Sequence, residues 1–267
     1  METVALVTGA ASGIGAALVT ALAARGVRVY AADRDTAGVE ALAARLLSLG
    51  HSVEAVTLDV TDAEGFGRLI AKIAERGPLH QLYNNAGIGL AGELHAVTAA
   101  DWRRVVEINI LGVANGIAAA YPLMIRQGFG HLINTASGAG LGPRPGMAPY
   151  AASKHAVIGL STSLRAEASA YGVKVSAACP GYVATQVMAR AELRGVDRQK
   201  LTESIPIRPM SAEDCARAIL RGVDRNQAII PISMYVKLDW WLYRLSPTLS
   251  IHLAKWRARA FRKAAQT

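Results

Sequence analysis

The sequence predicts an α/β fold: a doubly wound parallel sheet with helices on both faces, in a single domain. Three observations carry this. Short apolar, β-branched runs alternate with Ala/Leu-rich helical runs along 267 residues. A glycine cluster, "TGAASGIG" from Thr8 to Gly15, stands between the first such run and the first helix. No internal repeat or linker interrupts the alternation. A β-α-β-α order needs crossover helices above and below the sheet, which is the Rossmann-type arrangement.

Each element has its own signal. "TVALVT" (3–8) is short and continuously apolar, as a strand buried on both faces should be. Ala16 to Arg25 holds helix formers, and Gly26 closes the run. "VRVYAA" (27–32) is a second strand, 36–49 a helix ending at Gly50, and "SVEAVTL" (52–58) a third strand. "DAEGFGRLIAKIAER" reads as a helix stopped by Gly77-Pro78, and "HQLYNN" as a fourth strand. A long helix starts near Asp101, "GHLINTAS" (130–137) is a fifth strand, and Tyr150 to Tyr171 is helical. "VKVSAAC" (173–179) and "QAIIPI" (227–232) complete the sheet.

Composition sets limits. With 52% apolar residues, disorder is excluded. The two cysteines, Cys179 and Cys215, suggest no disulfide framework, so a reducing, cytoplasmic setting is expected. The chain enters "TVALVT" with no leader-like segment, and no run reaches the roughly 20 apolar residues of a spanning helix. No His/Cys/acid cluster has metal-ligand spacing, so no metal is expected. From Lys237 onward there are seven Lys/Arg against one acid, Asp239, which supplies six of the nine net positive charges. A charge so localised argues against a nucleic-acid groove.

In such folds ligands bind beyond the carboxyl ends of the strands. Gly9, Ser12, Gly13, Ile14 and Gly15 form a turn that opens a helix, where unpaired N–H groups and the helix dipole favour a pyrophosphate. Asp33 ends strand two, where a carboxylate accepts adenosine ribose hydroxyls and repels a 2′-phosphate. Arg34 beside it would instead favour that phosphate, as in NADP. Asp59 ends strand three, facing the adenine amino group or capping the next helix. Tyr150 and Lys154 are four apart in a helical run and share a face. An ammonium near a phenol lowers its pKa, as proton removal from an alcohol requires, although such pairs are also common on helix surfaces. Ser137 closes strand five, where a hydroxyl either holds a substrate oxygen or simply forms a turn.

Taken in order over residues 3–232, these stretches resemble the short-chain dehydrogenase/reductase family. "TGAASGIG" looks like its cofactor turn, and "LDV" with Asp59 and Val60 like its adenine contact. "NNAG", from Asn84 through Asn85, Ala86 and Gly87, looks like its cofactor-lining turn. The resemblance implies a catalytic tetrad of Asn109, Ser137, Tyr150 and Lys154, with Asn109 distorting its helix and holding a relay water. It also implies a nicotinamide-side loop at "PGYVAT", with Pro180, Gly181, Val183 and Thr185 in contact. The expected activity is hydride transfer between NAD(H), with NADP possible, and a secondary alcohol or ketone. An NADPH-dependent 3-ketoacyl-type reductase and a non-catalytic dinucleotide sensor or scaffold are the alternatives. A homodimer or homotetramer is implied as well.

The substrate end is less defined. Residues 186–211 are expected to form a mobile cover carrying Met188, Leu193, Leu201 and Ile205. With Leu141 and Met147, and with Arg144 as the one basic group of its loop, they favour an apolar substrate. Residues 1–236 read as the dinucleotide-binding and catalytic domain, 237–267 as a basic amphipathic tail. On a helix from Pro247, Leu249, Leu253, Trp256 and Ala260 line one side, and His252, Lys255, Arg259 and Arg262 another. Either the apolar side covers a subunit partner or the substrate mouth, or the helix makes peripheral contact with an anionic membrane.

Overall fold

The computed structural model describes residues 2–185, 191–203 and 207–265. Among them, seven strands form one parallel sheet in the order β3-β2-β1-β4-β6-β7-β9. These are β1 (Val4–Thr8), β2 (Arg28–Asp33), β3 (Val53–Thr57), β4 (Gln81–Asn84), β6 (Gly130–Thr135), β7 (Val173–Cys179) and β9 (Ile229–Pro231). The order reverses between β1 and β4, so the two halves wind outward and leave a crevice at their carboxyl ends.

Helices α1 (Gly13–Ala23), α2 (Thr36–Ser48) and α3 (Ala63–Arg76) connect the first four strands. Then come α4 (Ala99–Val106), α5 (Gly112–Gln127), α6 (Ala148–Ala168), the short α7 (Arg198–Glu203) and α8 (Ala212–Asp224). One core holds Leu18, Val19, Leu22, Val39 and Ile219 under one face of the sheet. The other holds Phe66, Ile73, Val113, Met124 and Val157 under the opposite face. Asp35 caps α2 by accepting the Gly38 N–H (3.1 Å), and Asp62 caps α3 through Gly65 (2.9 Å). Each cap contributes about 1 kcal/mol.

Three features differ from the sequence reading. The helical path Ala99–Gln127 is long and apolar enough to span a bilayer, with a mean hydropathy of 1.6. Its Val113, Ile117, Ala120 and Met124 are buried in the core, which accounts for the apolar run. Second, β5 (Leu90–Gly92) and β8 (Glu192–Arg194) form a small parallel sheet of their own. Third, the basic tail is a hairpin of α9 (Met234–Leu245) and α10 (Pro247–Ala265), starting ahead of the expected boundary at 236.

Candidate active site

At the end of β1 the chain turns so tightly that no side chain fits at Gly9 or Gly15. Gly9 has φ +68°, and a Cβ there would lie 2.8 Å from the Ala86 Cα. A Cβ on Gly15 would fall inside van der Waals contact of the Gly9 carbonyl and 2.8 Å from Asn85 Nδ2. Ser12 is the N-cap of α1 and makes no side-chain cap. Among the described residues, the N–H groups of Gly13, Ile14 and Gly15 meet no protein acceptor. Open donors at a helix N-terminus, with backbone exposed by glycine, fit a pyrophosphate. Thr185 lies across this mouth, its Cβ 3.1 Å from where a Gly13 Cβ would stand.

Asp33 is half-buried at the end of β2. Its Oδ2 accepts the Ala11 N–H and its Oδ1 the Asp35 N–H, both at 2.9 Å. The carboxylate is thereby held at the edge of the glycine turn, while Arg34 is exposed. Asp59 does not cap α3, which Asp62 does. It accepts the Thr61 N–H (2.9 Å) and hydroxyl (2.8 Å), which lower its pKa despite some burial, with Arg34 assisting. Val60 is buried, and its carbonyl accepts from Asn115 (2.9 Å).

A web of bonds joins β1, β4 and β6. The Thr8 hydroxyl accepts the N–H groups of Asn85 (3.0 Å) and Ala86 (3.1 Å). Asn85 Nδ2 donates to Thr8 O (3.0 Å) and its Oδ1 accepts from Thr135 (3.4 Å). Asn84 points the other way, donating to buried Asn134 (2.9 Å), which in turn donates to Ser161. Asn84 is thus a sheet-to-α6 tie, whereas Asn85 ties the glycine turn to β4 and β6.

Ser137, Tyr150 and Lys154 converge at the end of β6. The Ser137 hydroxyl accepts the Ala139 N–H (3.1 Å) and lies close enough to Tyr150 to bear on its phenol. Lys154 is buried, donates to Thr135 O (2.9 Å) and lies 5.8 Å from the Tyr150 ring centre. In the chain alone, burial raises the phenol's pKa and the nearby Ser137 hydroxyl works against that rise, while the Lys154 ammonium is engaged by the Thr135 carbonyl. Nearby Cys179 is buried and its thiol pushed up to about 12, so it is inert.

Asn109 lies on a π turn, Glu107–Leu111, between α4 and α5. This is the helix distortion expected of it, and such turns favour functional sites. The side chain is fully buried. Its Oδ1 accepts the Ile88 N–H (2.8 Å), and its Nδ2 donates to Ile88 O (3.0 Å) and Ser153 Oγ (3.1 Å). Both amide protons are engaged, so Asn109 clamps the turn after β4 to α6. Gly87 sits over it: a Cβ there would lie 3.1 Å from Asn109 Oδ1 and 3.4 Å from Lys154 Nζ.

A pH test follows from Lys154. Burial lowers its ammonium to about 8 from an ordinary 10.5. Below pH 8 folding must bury a charge; above 10.5 neither folded nor unfolded chain carries it. In between, the unfolded chain holds more protons, so stability rises with pH. From pH 8 to 9 the urea midpoint should climb in the wild type relative to Lys154→Met, a comparison in which the titration of the two thiols is common to both proteins. Parallel profiles for the two proteins would contradict this.

The remaining predicted contacts follow β7. Pro180 O accepts the Gly138 N–H (2.7 Å), tying this loop to Ser137's turn. Val183 is buried and bridges to Met210. Tyr235, on α9, receives the Tyr182 N–H on its hydroxyl, and Gly181 leaves room for that ring. The sequence reading missed Tyr235, since it lies beyond the motifs and has no local signature. It also missed Asp239, which binds Arg144 (2.6 Å) and Arg257 (3.0 Å) and so fastens the hairpin to the substrate loop. A single acid amid seven cations was the available signal for it.

On the substrate side, Met188 and Ile205 lie outside the described residues, whereas Leu193 and Leu201 are half-buried. The part expected to be mobile holds β8, whose Arg194 pairs with buried Asp101 at the start of α4. Leu141 is buried and Met147 half-buried. In the tail helix, the apolar side of Leu249, Leu253, Trp256 and Ala260 is not the side that packs on the protein. Ser250, Ala254 and Phe261 are the buried side, Phe261 filling the space over Gly146. Leu249, Leu253, Trp256 and Ala260 face solvent.

The profile of the short chain dehydrogenase family matches residues 3–194. SadH of Mycobacterium tuberculosis, named as an oxidoreductase, is 36% identical over 204 residues, which are 75% of this chain and 74% of that one. A short-chain dehydrogenase/reductase from Burkholderia phymatum, solved in complex with NAD, superposes with a TM-score of 0.81 at 30% identity, covering 91% of this chain and 95% of that one. A short-chain dehydrogenase from Sphingobium yanoikuyae in complex with NADPH does so with a TM-score of 0.78 at 31% identity, covering 89% and 91%.

Proposed function

The chain belongs to the short-chain dehydrogenase family and is an NAD(P)-dependent oxidoreductase of the alcohol/ketone type, and from that premise we propose which residues do what. The observation that supports the assignment is the convergence of Ser137, Tyr150 and Lys154 at the same end of the sheet as the turn whose Gly9 and Gly15 leave no room for a Cβ. A dinucleotide bound there supplies the hydride acceptor or donor.

The chain's own groups do the rest. In oxidation the substrate carbon loses a hydride and its hydroxyl proton passes to Tyr150; in reduction Tyr150 returns that proton. Ser137 hydrogen-bonds the substrate oxygen where charge develops. Lys154 anchors the Tyr150 face of α6 and offers its remaining N–H groups to a ribose. Asn109 holds Ile88 and Ser153 in place, and so positions Lys154 between Thr135 and Gly87.

NAD(H) is the preferred cofactor in this reading. Asp33 is fixed by two backbone donors at the cofactor turn, so its charge would face a 2′-phosphate. Wild-type kcat/KM should be higher with NADH than with NADPH. Asp33→Ser should cut the NADH value by about 10- to 100-fold, the loss of charge-assisted hydrogen bonds, while sparing NADPH. Faster wild-type turnover with NADPH at subsaturating cofactor would refute the preference. A panel of secondary alcohols and ketones graded by size, run with both cofactors, tests the activity itself. The other partners in this reading are a second copy of the chain, packed through α5 and α6, and a lipid surface met by the tail. Buried, unpaired Cys179 and Cys215 suit a reducing, cytoplasmic compartment.

A further inference from the structure

We propose that the α9–α10 hairpin is a docking surface for an anionic lipid bilayer, met through the side that faces away from the protein. This takes up the lipid-contact reading of the tail and is independent of the catalytic assignment. Two exposed apolar stripes carry it. On α9, Met234, Leu238, Trp241 and Leu245 recur at helical spacing, with exposures of 66%, 63%, 57% and 79%. On α10 the spacing continues through Leu249, Leu253 and Trp256, at 47%, 43% and 64%. The opposite side of α10 is already satisfied by Gly146 and the Asp239 ion pairs, so the stripe is not the packing face.

Charge decides what covers it. Asp239, the one acid of the tail, is consumed by Arg144 and Arg257, and Arg262 pairs with Glu93. Lys237, Arg244, Lys255, Arg259 and Lys263 have no acidic partner among the described residues. Arg244 and Arg259 stack on Trp240 and Trp256 at 5.5 and 5.3 Å. A second copy meeting this surface across a two-fold axis would set five cations against five, which opposes association. Nucleic acid would pair with the cations and leave the leucines uncovered. A bilayer of anionic lipid satisfies both: acyl chains take the leucines, headgroups the cations, and tryptophan sits at the boundary. A cleft of about 450 Å³ beside it, lined by Ile251, Ala254 and Lys255 of α10 and by Pro143, Ala152 and His155, adds apolar surface with a cationic rim.

The test uses the full chain. It is sedimented with vesicles of phosphatidylcholine alone and of phosphatidylcholine with phosphatidylglycerol, at low and raised salt. Pelleting with the anionic vesicles only, weakened by salt, with a blue shift of tryptophan emission, is expected. Lys255→Gln with Arg259→Gln should weaken vesicle binding about thirtyfold, at about 1 kcal/mol per cation. Leu253→Ser with Trp256→Ser should abolish it. All four positions are exposed, and unchanged NADH binding verifies that both variants fold. Equal or absent pelleting on the two vesicle types overturns the proposal. So does a fall in oligomer size in the Leu253/Trp256 variant, since that makes a second copy the occupant. Failure of the wild type to bind either NADH or NADPH would instead refute the oxidoreductase reading and leave the vesicle result standing.

Discussion

Tyr150→Phe should bind dinucleotide as the wild type does and turn over alcohols or ketones roughly 10²- to 10⁴-fold more slowly. The substitution removes one oxygen and keeps the ring. The buried neighbours of α6, Ser153 and Lys154, keep their bonds to the Tyr150 carbonyl and to Thr135 O. Folding and cofactor binding are therefore spared, and the loss falls on proton transfer. Burial holds the phenol above its ordinary pKa, so near neutral pH it carries its proton. That state suits an acid in ketone reduction; acting as a base requires added positive charge close by. Single-turnover reduction with NADH, alongside a dinucleotide titration, separates the two effects. Wild-type turnover in a folded Tyr150→Phe chain would remove Tyr150 from the chemistry.

The elements that bury a continuous apolar run were legible in the sequence. "VKVSAAC" is β7 residue for residue, because all its residues but Lys174 are buried in the sheet. The glycine turn and the convergence of Ser137, Tyr150 and Lys154 were legible too, since each sits at a strand end or one helical turn apart. What was hidden depends on partners remote in sequence. β5 and β8 have three residues each, too few for a period, and exist because Leu90–Gly92 meets Glu192–Arg194. The bonds of Asn109 run to Ile88 and Ser153, so no reading of "EINILG" could show that both amide protons were taken. The packing face of the tail was hidden for another reason. A helical wheel selects the most apolar face, whereas the protein's surface offered a hollow at Gly146 and a charge network at Asp239, and those chose Phe261 and Arg257.

Gly15→Ala should lose dinucleotide binding by two orders of magnitude or more and leave a less stable chain. The reason lies in the spacing of "TGAASGIG". Gly9 needs its positive φ and stands against the backbone of Ala86. Gly15, six residues on, lies under the Gly9 carbonyl itself, so the turn's two ends touch backbone to backbone. A methyl group on Gly15 has no flexible side chain to push aside. It must lift the Gly9 peptide, and with it the Thr8–Asn85 bonds that join β1 to β4. Forcing one methyl into so tight a contact costs on the order of 3 kcal/mol, about a hundredfold in any equilibrium that needs the turn closed. The lifted peptide also turns the open N–H groups of α1 away from a common point, which is what an anion would read. Gly67, with open space around it, is the control: Gly67→Ala should leave NADH affinity unchanged. Equal NADH affinity in the Gly15 and Gly67 variants, measured by fluorescence titration, would show that this turn does not hold the dinucleotide.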